Sequence, residues 1–122
     1  VNEDILGSME FGCKVAGAKI IVVLGHTKCG AVKGACDNVA LGNLTGLISK
    51  IKPAVEEEMS TTENRNSNNA VFVENVAELN VSISVKNILL KSPIIAEMVK
   101  NGEIGIVGGI HDISTGEVKF FE

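Results

Sequence analysis

Apolar residues recur at helical spacing along the first sixteen positions, with Leu6, Met9, Cys13 and Ala16 on one face. Asn2 is placed to cap this helix, and Glu3 and Asp4 stand in its first turn, where the helix dipole favours negative charge. Gly17 suits a left-handed carboxyl cap. The pattern then changes. Lys19-Ile-Ile-Val-Val-Leu-Gly25 is an unbroken, β-branched run, which predicts a parallel strand buried on both faces. A polar turn, His26-Thr-Lys-Cys-Gly30, follows at its carboxyl end, and residues 31–39 are expected to be helical.

Leu47, Ile48, Ile51 and Val55 mark one face of a helix over 45–58, with a break or kink at Pro53. Residues 60–69 are polar and Asn-rich and read as a loop open to motion. A long helix is expected over 70–90, where Val73, Val76, Ala77, Val81, Val85, Ile88 and Leu89 keep a helical rhythm. Ser92 as cap and Pro93 in the first turn start another helix, which ends near Asn101-Gly102. A second buried strand is expected over 104–110, a turn over 114–116 and a short closing strand over 118–121. The reading is an α/β fold in three layers, α/β/α, with a mostly parallel sheet and an antiparallel closing strand. In such a fold the His26–Gly30 turn lies where open α/β sheets bind ligands, at the carboxyl ends of the strands.

Composition narrows the function classes. The chain has 122 residues, 45% of them apolar, which suits one small folded domain over 1–122. A net charge of −4 and 3% aromatic residues argue against a nucleic-acid partner. No apolar run approaches the roughly 20 residues that span a bilayer, so no membrane is expected. The 3 cysteines form an odd, sparse set, which points to a reducing, cytoplasmic compartment rather than a disulfide framework.

The chemistry concentrates on one turn. His26 and Cys29 are three residues apart, and imidazole nitrogen and thiolate sulfur are both good zinc ligands. The bland alternative is a hydrogen-bonded strand-end His and a small buried Cys. Gly25 to Gly30 has the spacing that opens a phosphate-binding loop, but Ala31-Val32 stands where Lys and Ser/Thr belong. Cys13 and Cys36 fall on predicted helices and are expected to be buried. His111 with Asp112 is expected to serve a turn. Glu56-Glu57-Glu58 reads as a solvated surface.

The wider context is specific. Ser8-Met-Glu-Phe11 leads into Ala18-Lys-Ile-Ile-Val-Val-Leu-Gly-His26 and Thr27-Lys-Cys-Gly-Ala-Val-Lys-Gly-Ala35. Ser92-Pro-Ile-Ile precedes Ile106-Val-Gly-Gly-Ile-His-Asp-Ile-Ser-Thr-Gly-Glu-Val118. These blocks, in this order, resemble the β-class carbonic anhydrases along almost the whole chain. Gly42-Asn-Leu-Thr-Gly46 resembles their bacterial branch.

The resemblance implies reversible hydration of carbon dioxide to bicarbonate and a proton by zinc-bound hydroxide. It implies a Zn²⁺ cofactor held by a His and two Cys, with an Asp or solvent as fourth ligand. His26 and Cys29 match the His-x-x-Cys pair, and the Gly30 amide matches a backbone donor near the bound oxygen, with a plain turn glycine as the alternative. The other Cys and the Asp belong to a Cys-x-Asp-x-Arg motif that does not occur here, and Arg65, the only arginine, stands in the polar loop.

The expectation is therefore a carboxy-terminal portion of such a domain that is inactive alone, binds zinc poorly and self-associates through an apolar strand edge. The family implies a homodimer or larger homo-oligomer. Two other readings stay open: a non-catalytic assembly module, and a relative of the carbon disulfide hydrolases.

Overall fold

The computed structural model describes residues 1–121. Helix α1 (Glu3–Glu10) begins where Asn2 Oδ1 accepts the Ile5 N–H at 3.0 Å. It runs on into a wider π-helical turn over Phe11–Val15, and Gly17 follows in the left-handed region at φ 82°. The chain then forms β1 (Ile20–His26), α2 (Gly30–Cys36), α3 (Gly42–Ser49) and α4 (Lys52–Glu57). After the polar loop come α5 (Ala70–Lys91), α6 (Pro93–Lys100), β2 (Gly105–His111) and β3 (Val118–Phe120).

The expected helix over 45–58 is two helices, α3 and α4. The break falls at Lys50-Ile51, and Pro53 sits in the first turn of α4, where its missing N–H leaves no helical bond unmade. Ser92 ends α5 and caps α6, its Oγ accepting the Ile95 N–H at 3.2 Å and donating to Glu10 Oε2 at 2.6 Å. That second bond ties α6 to the end of α1.

The three strands lie in the order β1-β2-β3. β1 and β2 are parallel, with Ile20 opposite Gly105 and His26 opposite His111; β3 closes antiparallel on β2. β1 is thus an edge strand of this sheet. Helix α5 lies across β1 and β2. The fit is close: a Cβ on Gly25 or Gly108 would come within 2.8 and 2.7 Å of Val81 methyls. Only glycine lets the helix approach the strands this nearly.

Two apolar clusters share α5. Phe72, Val73, Val76 and Ala77 meet α2, α3 and α4 through Val32, Ala35, Ile48 and Ala54. Ile88 meets Leu6, Cys13, Ile21, Ile95, Met98 and Ile104. Burying a side chain such as Phe72 or Ile88 contributes about 1.5–3 kcal/mol. Cys13 and Cys36 are both buried, as their helical positions predict.

Two expectations change. Strand β1 is covered on one face only: Ile21 is buried, whereas Ile20, Val22 and Leu24 are exposed. An unbroken apolar run carries no mark of which face gains a partner. Glu58 is buried rather than solvated. Its Oε1 accepts from the Ser60 N–H at 2.6 Å, from the Ser60 hydroxyl and from the Thr61 N–H at 3.2 Å. Arg65 approaches its other oxygen at 3.5 Å. Arg65 also donates to the carbonyls of Val55, Glu58 and Thr61, and its guanidinium lies 4.6 Å from the centre of the Phe72 ring. The first half of the polar loop is bonded to α4 through Arg65 and meets α5 at Asn75 and Phe72.

Candidate functional site

The site grows from the end of β1. Parallel pairing holds His26 level with His111, and the Thr27 N–H donates to the His111 carbonyl at 3.0 Å. Lys28 then takes a left-handed conformation at φ 56°, a strain of about 1 kcal/mol for a residue with a side chain. The reversal returns the chain so that Cys29 caps α2 and Gly30 opens it. His26 and Cys29 consequently line one cleft of about 490 Å³. A sharp turn between two candidate donors is a geometric demand, and the strained Lys28 shows that the surroundings enforce it.

The imidazole is oriented. His26 Nδ1 lies 2.8 Å from the Thr27 carbonyl oxygen. A carbonyl only accepts, so Nδ1 carries a proton, and in the neutral ring Nε2 is the nitrogen with the lone pair. That is the tautomer in which a histidine can act as a ligand or a base. Cys29 is half-buried and has no disulfide partner. Gly30 stands in the first turn of α2, where N–H groups have no acceptor within the helix. A Cβ there would meet nothing within 4 Å, and its φ lies outside the left-handed region, so this backbone does not itself require glycine.

The segment after β2 braces the turn. The Ile113 N–H donates to Thr27 Oγ1 at 3.2 Å, and Asp112 Oδ1 accepts the Ser114 N–H at 2.8 Å. Asp112 thus serves its own turn, as expected. Cys36 stays away from the cleft chemistry: burial, helped by Asp37, pushes its thiol up, which keeps it protonated and inert. Two residues of the cleft escaped the sequence reading. Glu74 and Glu78, on α5, line it with His26 and Cys29. Their i, i+4 spacing on a helix was the available signal. With Asp112 and Glu117 against Lys28 and Lys119, the lining carries an excess of carboxylates.

The donor set does not fit a zinc ion. Among the described residues no group of three or more His, Cys, Asp or Glu is arranged to hold a metal. Zinc in proteins takes four ligands in structural sites and three plus water in catalytic ones. His26 and Cys29 are the right chemistry and too few.

Fold and turn together define an α/β protein whose candidate site sits at the carboxyl ends of its parallel strands. A family model described as carbonic anhydrase matches residues 1–118. Carbonic anhydrase 2 of Mycobacterium tuberculosis is 28% identical over 116 residues, covering 95% of this chain and 55% of that protein. The carbonic anhydrase of Candida albicans is 28% identical over 111 residues, covering 90% and 39%. The crystal structure of the β-carbonic anhydrase CafA of Aspergillus fumigatus superposes with a TM-score of 0.85 at 25% identity, covering 100% of this chain and 57% of that one. A tetrameric β-carbonic anhydrase of Sordaria macrospora shares the fold at a TM-score of 0.82. The chain belongs to the β-carbonic anhydrase family. It spans about half the length of the curated relatives it matches.

Proposed function

We propose that this chain carries part of the catalytic centre for reversible hydration of carbon dioxide to bicarbonate and a proton. One observation supports this above the others: His26, with Nε2 free, and Cys29 line one cleft in a chain of this family. His26 would offer an imidazole nitrogen, Cys29 a thiolate, and Gly30 a backbone N–H to position a bound oxygen by charge and direction. Zinc is the cofactor this reading implies. A complete centre needs at least one further thiolate, carboxylate or imidazole. The chain by itself is inactive and binds zinc weakly in this reading. A cytoplasmic, homo-oligomeric setting accompanies it.

The test is zinc per chain on the purified 122-residue protein, with carbon dioxide hydration measured by stopped flow. Substoichiometric zinc and no hydration above background are expected. One tightly bound zinc per chain with activity would overturn the half-site reading. A cobalt(II) titration supplies a readout other than activity. A thiolate charge-transfer band is expected for the native chain and not for Cys29→Ser, and a band that survives Cys29→Ser would remove Cys29 from the site. The incomplete donor set also favours a second reading, a non-catalytic module that keeps the fold for assembly. Absence of any cobalt–thiolate band would select it.

A further inference from the structure

The His26 side chain is exposed, so packing does not fix the direction of its ring. One hydrogen bond does, from Nδ1 to the Thr27 carbonyl oxygen at 2.8 Å. Where that carbonyl points therefore decides where Nε2 points. Thr27 is half-buried, and its other polar groups are engaged as well. Its N–H donates to the His111 carbonyl at 3.0 Å, and its Oγ1 accepts the Ile113 N–H at 3.2 Å. Both partners belong to the end of β2 and the turn beyond it, and Ile113 stands 86 residues away along the chain. These two bonds hold Thr27 on one side. The left-handed Lys28, at φ 56°, sets the peptide plane on the other. The Thr27 side chain is stiff, because branching at Cβ restricts χ1 and aims the hydroxyl.

We propose that Thr27 is a positioning residue for His26: its hydroxyl, anchored by the Ile113 N–H, locks the carbonyl that orients the imidazole. The turn beyond β2 thereby sets the direction of a side chain at the end of β1. That turn is well tied within itself. Asp112 Oδ1 accepts the Ser114 N–H at 2.8 Å, and the Asp112 carbonyl accepts the Gly116 N–H at 2.8 Å. The Asp112 N–H donates to the Glu117 carbonyl at 2.8 Å. A partner that holds one ring nitrogen fixes both the tautomer and the orientation in which the other nitrogen is presented. Serine can supply the same hydroxyl oxygen. Valine has nearly the shape of threonine and cannot. Lys28 Nζ lies 3.5 Å from Ser114 Oγ, at the outer limit of a hydrogen bond, and makes a second, weaker link between the same segments. That the oriented ring serves a catalytic centre rests on the carbon dioxide hydration reading; the positioning itself does not.

Long-range proton–nitrogen NMR correlation of the imidazole nitrogens tests it. The labelled 122-residue chain is read under mildly alkaline conditions, so that the ring is seen in its neutral form. The chain has 2 histidines, and His111→Gln assigns the signals. Native His26 is expected as a single Nδ1–H tautomer. Thr27→Val is expected to populate both tautomers and to speed solvent exchange of the Ile113 amide. Thr27→Ser restores the native pattern, and Ser114→Ala, which removes only the Lys28 link, leaves it unchanged. Circular dichroism confirms that each variant is folded, and Thr27→Ala takes the place of Thr27→Val should that one fail to fold. A single Nδ1–H tautomer retained without the hydroxyl would overturn the proposal. Mixed tautomers in the native chain, in Thr27→Ser or in Ser114→Ala would do the same. Cobalt(II) titration separates this from the catalytic reading. Thr27→Val is expected to bind cobalt about fivefold more weakly, the equilibrium equivalent of one hydrogen bond, and Thr27→Ser to recover it. A native chain without a cobalt–thiolate band would sink the catalytic reading, and the ring signals would still decide the positioning.

Discussion

Strand β1 feeds two faces of one sheet with the same kinds of residue, and they end differently. Ile21 is 8% exposed beneath the helices, and its neighbour Ile20 is 58% exposed on the far side. On the helical face, glycines at 25 and 108 let Val81 press within van der Waals contact of the strands. On the open face, Gly109 leaves room that Leu24 and Phe120 only partly fill. Hydrophobicity alone therefore does not bury a residue. A covering element does, and here α5 covers one side.

The contrast can be broken hardest on the covered side. Ile88→Ala empties a fully buried position beside Ile21 and is expected to cost about 2–5 kcal/mol in urea denaturation. A loss under about 1 kcal/mol would mean that the helical face is loosely packed. Gly108→Ala adds a methyl where Val81 is already close and should cost about 1–3 kcal/mol by the same measurement. Full tolerance would show that α5 can lift away from the sheet.

Acid probes the far end of the helical layer. Burial pushes the Glu58 carboxyl up, but hydrogen bonds from Ser60 and Thr61 outweigh it and hold the group below the usual glutamate range. A depressed folded value means stability that is present above the unfolded pKa of about 4.3 and is lost as pH falls through the folded one. Melting temperature followed below that pH should fall in the native chain, and less steeply in Glu58→Gln. Asp37, lowered by its bonds from Ser67, contributes the remaining slope in the same direction. Equal slopes for the two proteins would remove Glu58 from the account.

The smallest effect is expected on the open face. Leu24→Thr should leave monomer stability within about 0.5 kcal/mol, read at a dilution where assembly is absent. A loss above about 2 kcal/mol would mean that this face is covered within the monomer itself.

Much of the fold was legible locally. The β-branched run ending at Gly25, the rhythm of α5 and the Ser92-Pro93 restart each depend on neighbours a few residues away, and each element forms where expected. The His26-x-x-Cys29 turn was legible for the same reason. Its spacing, and its place after a strand, are properties of one short segment. The family resemblance then supplied the chemical meaning of that spacing.

What the chain could not announce was set by contacts across long separations. Glu58 looks like its acidic neighbours until Arg65 and the turn at Ser60 fold over it. Glu74 and Glu78 become part of the cleft only when α5 crosses the sheet beside the turn after β1. The exposed row of β1 is the plainest case. Its sequence determined that Ile20, Val22 and Leu24 would form a strand and share one face, because side chains alternate along an extended backbone. Whether that face would be covered was decided by where α5 lands and by what packs opposite, because burial is a property of pairs of surfaces and a single segment encodes only one of them.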